Sequence, residues 1–167
     1  MPHPSLGLPP ADTTVGHPDA ARRLRANRER LARLALENTV RLAPQFTAKY
    51  DETTLRLFLR DLERHIEQLA RAMETGVDGF VVNYAEWLVP VYRRRHVPMR
   101  DFIAMADGLR HAAATIFSPE ETAFAQPMFE RWAQMLKHHG RLAGDHTGNK
   151  YVRFFWKGAG ILDDDIV

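Results

Sequence analysis

Tyr92, His96 and His65 are the first candidates for a ligand or cofactor site in this chain. Tyr92 and His96 stand four residues apart in WLVPVYRRRHVPMRDF (87–102), so on an unbroken helix they would share a face. His65 belongs to an apolar helical pattern with Leu62, Ile66 and Leu69. With no cysteine present, a metal or haem would have to rest on histidine, tyrosine or carboxylate, and both imidazole and phenolate serve as axial ligands of haem iron. Imidazole is neutral and ready near neutral pH, whereas a phenol with its ordinary pKa of about 10 must first lose a proton. Arg93 and Arg95 stand close by in sequence and would favour that loss. A second reading stays open for each residue. A tyrosine on a helical face packs its ring and turns its hydroxyl to water, and a histidine beside an apolar stripe keeps one nitrogen bonded and one wet.

Other chemistry has less support. The absence of cysteine rules out disulfides, thiolate nucleophiles and Cys-ligated zinc or iron–sulfur clusters. There is no nucleophile-elbow motif, no Gly-rich phosphate loop, no HExxH and no carboxylate–histidine repeat of the di-iron bundle type. Asp61, Glu63, Glu67 and Glu74 read as solvent-facing charge, His111 as a surface residue, and Lys137, His138 and His139 as helix-closing positive charge. No enzyme is expected, and no metal site. Arg22, Arg23, Arg25, Arg28, Arg30 and Arg33 are interspersed with acidic residues and lack an aromatic platform for bases. They read as a solvated helix face or a dimer surface, not a nucleic-acid interface.

The patterns around these residues are helical. Leu24, Leu31, Leu34, Ala35 and Leu42 mark one long helix from Asp19 to a stop before Pro44. Asp51 can cap a second, with Leu55, Phe58, Leu62, Ile66, Leu69 and Met73 at helical steps and Gly76 as its stop. A third begins near Asp78, carries Phe80, Tyr84, Trp87, Leu88 and Val91, and has Pro90 in its last turns. A corner follows at Arg93 to Val97. Pro98 then opens a fourth helix with Phe102, Ala106, Leu109, Ala113 and Ile116. Ser118-Pro-Glu-Glu121 has capping-box spacing and starts a fifth, with Phe124, Met128, Trp132, Met135 and Leu136 before a stop at Gly140. This predicts an all-α domain, a bundle or a globin-like fold, of about five or six helices over residues 19–140. A disordered N-terminal arm (1–18) precedes it and a C-terminal docking tail (141–167) follows.

The run ETGVDGFVVNYAEWLVPVYRRRHVPMRDFIAMADGLRHA resembles the region around the proximal helix and corner in the globin domains of bacterial globin-coupled sensors. In that family the proximal haem histidine lies five residues before an aliphatic corner residue and six before a proline. Counting back from Val97 and Pro98 reaches Tyr92, and counting forward ten from there reaches Phe102, an aromatic as in the family. The ligand position thus holds tyrosine. That departure resembles a second group, the haem-free globin-like N-terminal domains of RsbR-type stressosome proteins, although residues 141–167 carry no βαβ pattern of the output domain usual in that group.

The resemblance implies two functions. One is a haem-free, non-catalytic sensory or interaction module in bacterial signalling. Its pocket for a small apolar ligand would be lined by Phe58, Leu62, His65, Leu69, Leu88, Tyr92, Phe102, Ala106 and Leu109. The other is a haem sensor of a diatomic gas or redox state, with Tyr92 proximal, His65 distal, and His96 and Phe102 also near the cofactor. With the first of these goes a homodimer through the helices.

The remaining totals fit a soluble cytoplasmic protein. The chain has 167 residues, 45% of them hydrophobic, and a formal net charge of only +2 from 23 basic and 21 acidic residues. That is enough for one core. No apolar run approaches the length of a membrane span, and no signal-peptide layout opens the chain. The tail segment KYVRFFWK (150–157) sets aromatics among cations ahead of Asp163 to Asp165. It reads as a docking element for a groove on this protein or on a partner.

Overall fold

The computed structural model describes residues 16–143, which form seven helices and no strand. They are α1 (Pro18–Ala26), α2 (Arg28–Leu42), α3 (Phe46–Lys49), α4 (Glu52–Thr75), α5 (Asp78–Arg94), α6 (Met99–Ala113) and α7 (Pro119–Ala143). The all-α class follows from the sequence periodicity. The count is higher because the expected first helix divides at Asn27, and because Phe46–Lys49 adds one turn. At the break the Asn27 backbone N–H is shared between the carbonyls of Arg23 and Leu24, while its side-chain amide donates to the Arg23 carbonyl at 2.9 Å. An asparagine that bonds back to the preceding turn competes with helix continuation. The chain redirects there, so α1 packs on α4 and α2 packs across α6 and α4.

The termini of α4 follow their capping chemistry. The Asp51 carboxylate accepts from the Thr54 N–H at 2.8 Å, and Gly76 adopts the left-handed conformation (φ 66°) that suits glycine at a helix end. At the start of α7, Ser118 Oγ accepts from the Glu121 N–H at 3.2 Å and Glu121 Oε2 accepts from the Ser118 N–H at 2.8 Å, a reciprocal capping box. Pro98 takes the N-cap place of α6 rather than its first turn.

Gly140 does not end α7. The helix runs on to Ala143, and a Cβ on Gly140 would lie 3.4 Å from that of Met99. The glycine lets α7 approach the start of α6. Since Tyr84 packs on Trp132 while Gly140 meets Met99, α7 runs alongside α5 in the same direction, and its C-terminal end lies by the α5–α6 corner.

One core joins all seven helices, with Trp132, Tyr92, Phe46, Phe58 and Phe102 as its largest fully buried side chains. Of the arm expected over 1–18, residues 16–18 belong to the domain. The His17 N–H donates to the Met73 carbonyl at 2.8 Å, and Gly16 lies so close to the Glu74 carbonyl that no Cβ could fit. Residues 1–15 of that arm, and the tail beyond Ala143, lie outside the described residues. The arginines of α1 and α2 are not merely solvated. Arg25 bonds Glu67 at 3.1 Å and Glu74 at 2.9 Å, Arg28 approaches Glu63 at 3.9 Å, and Arg23 reaches Glu121 at 3.1 Å. Among the described residues no helix is long and apolar enough to cross a membrane.

Candidate functional site

The buried stripe of α4 carries two polar side chains one turn apart, Asp61 and His65, and α5 brings Tyr84 and Tyr92 against them. His65 Nδ1 lies 2.6 Å from the Tyr84 hydroxyl, and its Nε2 lies 2.9 Å from the Tyr92 hydroxyl. The Tyr92 hydroxyl donates to Asp61 Oδ2 at 3.2 Å. Arg95, just past the end of α5, donates to the same carboxylate oxygen, and its guanidinium stands 5.3 Å from the Tyr92 ring centroid. Arg64 adds a looser approach to Asp61 at 3.9 Å.

Proton counting fixes the direction of this chain. The single Tyr92 hydroxyl proton is committed to Asp61, so the Tyr92 oxygen must accept from a protonated His65 Nε2. Nδ1 is then bare and accepts from Tyr84. Every polar atom of the imidazole is satisfied by protein, as a buried polar group requires.

The electrostatics reinforce the neutral forms. Burial first, then the positive fields of Arg95 and Arg64, push the His65 pKa down to about 3. Burial first, then Asp61, raises the Tyr92 hydroxyl above the usual phenol range, and Arg95 opposes this only in part. Tyr84 is also raised, by burial and then Asp61. The expectation that neighbouring arginine favours a Tyr92 phenolate is therefore outweighed. Arg95 neutralises Asp61, and burial holds the phenol protonated.

Aromatic rings enclose the network. Tyr92 stacks on Phe102 at 3.8 Å, while His65 lies 5.6 Å from both Phe102 and Trp132, centroid to centroid. The indole N–H of Trp132 is buried without a hydrogen-bond partner among the described residues.

The structure brings Tyr92, His65 and Phe102 together. It does not bring in His96, which is exposed at the corner with φ 57°. There the Val97 N–H donates to the Tyr92 carbonyl at 3.0 Å and the His96 N–H to that of Arg93 at 2.9 Å, the paired bonds of a Schellman ending with histidine in the left-handed place. His111 is exposed as expected. Phe58, Leu62, Leu69, Leu88, Ala106 and Leu109 are all buried in the same core as His65 and Tyr92. An open cleft of about 740 Å³ lies elsewhere, where α1 meets the start of α7, and is lined by residues including His17, Arg22, Arg23, Ser118 and Glu121.

Asp61, Tyr84 and Trp132 are the site residues that sequence reasoning missed. The available signal was the four-residue spacing of Asp61 and His65 on the Phe58–Leu62–Leu69 face, which places a carboxylate inward beside a histidine.

This arrangement does not fit a haem held by Tyr92 with His65 opposite. The Tyr92 oxygen and His65 Nε2 are in hydrogen-bond contact, so no iron stands between them, and Phe102 lies flat on the tyrosine ring. Among the described residues no group of three or more His, Asp or Glu side chains is placed to hold a metal ion. Compared with models of protein families and with curated proteins, the chain finds no match.

Proposed function

We propose that this domain is a non-catalytic sensory or protein-interaction module of bacterial signalling, similar to a haem-free sensor globin and acting as a cytoplasmic homodimer. The observation that carries the reading is the Tyr92 hydroxyl, bonded to both His65 and Asp61 at the position where the corner spacing would set a haem ligand. Its ring and hydrogen bonds occupy the space a cofactor would need. The signalling role rests on the resemblance of the α5–α6 corner to sensor globins. A small apolar ligand would sit between α4, α5 and α6, against buried residues that include Phe58, Leu62, Leu69 and Leu109.

Titration of the purified protein with haemin tests this. The expected outcome is no saturable one-to-one complex. A stoichiometric complex whose Soret band changes in Tyr92→Phe would overturn the reading in favour of a haem sensor with Tyr92 proximal and His65 distal. Light scattering over a wide concentration range tests the dimer, and a monomer throughout would refute that part alone.

A further inference from the structure

The domain leaves an apolar stripe uncovered along α5. Val77, at the N-cap, and Phe80 and Trp87 are 39%, 36% and 59% exposed, three of the five large apolar side chains exposed among the described residues. Tyr84 lies between Phe80 and Trp87 at helical spacing. The Trp87 ring stacks on Tyr84 with centroids 6.1 Å apart, and Tyr84 stacks in turn on the buried Trp132 at 6.4 Å. The outer end of this aromatic stack faces solvent.

We propose that residues 151–156 of this same chain, YVRFFW, lie across that stripe and cover Trp87. Area favours a short segment over a second copy. Two partly exposed aromatics and a valine offer roughly 250–300 Å² of apolar surface, well below the ~800 Å² per partner of a standard interface. Reach favours this segment. α7 ends at Ala143 beside the α5–α6 corner, and the eight residues to Tyr151 can span about 26 Å. Trp87 lies only about 10 Å up the helix from Arg94 at 1.5 Å per residue.

Charge agrees as well. Lys150, Arg153 and Lys157 alternate with the aromatics of the segment, and Glu86 is exposed beside Trp87. Tethering supplies the rest, because an attached segment competes at an effective concentration in the millimolar range, where a contact of this size can hold. The proposal is independent of the signalling reading. Its consequence is that any partner binding the α5 stripe must first displace the tail.

The full chain with Trp156→Phe provides the test. Of the three tryptophans, Trp132 is 1% exposed, so quenching by acrylamide then reports on Trp87. Adding Tyr151→Ser, Phe154→Ser and Phe155→Ser should raise the quenching constant about twofold or more and shift the emission to the red, as the tethered cover is lost. Equal quenching in the two proteins would overturn the proposal. So would shielding that disappears on dilution of the Trp156→Phe protein, which would assign the cover to a second copy. If the serine variant loses helical circular dichroism, the decision passes to a cysteine pair, Asn83→Cys with Arg153→Cys, in a chain with no cysteine of its own. A short bifunctional crosslink formed within single chains supports the docking, and its absence overturns it.

Discussion

The hydroxyl of Tyr92 performs two tasks, and its removal separates this site from an ordinary packed aromatic. Tyr92→Phe leaves the His65 Nε2 proton without an acceptor and the buried Asp61 carboxylate without one of its donors. A buried polar group stripped of its partner costs about 1–3 kcal/mol, and the charge on Asp61 moves the expectation toward the upper end. Tyr84→Phe also strips His65 of a partner, but Tyr84 is only half-buried, so water can take its place at Nδ1. The expected result in urea denaturation is a loss of about 1–3 kcal/mol for Tyr92→Phe and under about 1 kcal/mol for Tyr84→Phe. Equal losses would show that the Asp61 arm contributes nothing and that the two phenols are interchangeable supports of the imidazole.

The helices meet at a few positions where backbone geometry, not side-chain chemistry, sets the cost of change. His96 holds the left-handed place in the ending of α5, a conformation that an L side chain adopts at a cost of about 1 kcal/mol and glycine adopts freely. Because His96 is exposed and outside the core network, His96→Gly should raise stability by up to about 1 kcal/mol, part of the gain being offset by the greater unfolded-state entropy of glycine. A large destabilisation instead would mean that the imidazole makes contacts essential to the corner. Gly108 shows the reverse. A Cβ there would come within 2.5 Å of both the Ala35 carbonyl and Thr39 Oγ1, where α6 crosses α2 and where Asn38 donates to the Gly108 carbonyl at 3.3 Å. Gly108→Ala should therefore destabilise by about 1–3 kcal/mol through overpacking against backbone that cannot move aside, as thermal unfolding would show. The sequence carried the helix ends well where a local cap existed, at Asp51, Gly76 and Ser118. It misassigned Gly140 and missed the division at Asn27, because a glycine needed for close helix contact and an asparagine that bonds back one turn look like a stop and an ordinary helical residue until the neighbouring helix is known.

For the whole molecule, periodicity was enough to establish an all-α fold and to set His65 and Phe102 beside apolar stripes, whereas Tyr92 lies off the Phe80–Tyr84–Trp87–Leu88–Val91 stripe and was singled out only by its spacing from Val97 and Pro98. The network that joins them was not legible, because Asp61 reads as surface charge until α5 and Arg95 are folded against it. That network gives the fold a pH dependence with a definite sign. In the unfolded chain His65 titrates near its ordinary value of about 6.5, and in the fold its pKa falls to about 3. Above pH 6.5 neither state carries the proton, and the full contribution is present. Between those values the unfolded chain binds a proton that the folded one refuses, so the unfolding free energy drops by up to about 1.4 kcal/mol per pH unit. Below the folded value the group causes no further loss. Asp51, Glu74 and Glu121 are held below the usual carboxylate range, Asp51 by hydrogen bonds from Thr54, Glu74 by Arg25, and Glu121 by the Ser118 N–H and then Arg23. Their stabilisation is lost only at more acid pH, as the carboxylates take up protons. The window from pH 6.5 to 5 therefore isolates the imidazole. Urea denaturation across it should show a steeper decline for the native chain than for His65→Gln, which keeps a donor and an acceptor but cannot titrate. Parallel lines for the two proteins would mean that His65 accepts a proton in the folded state, and with it that the closed Tyr84–His65–Tyr92–Asp61 chain opens to water near neutral pH.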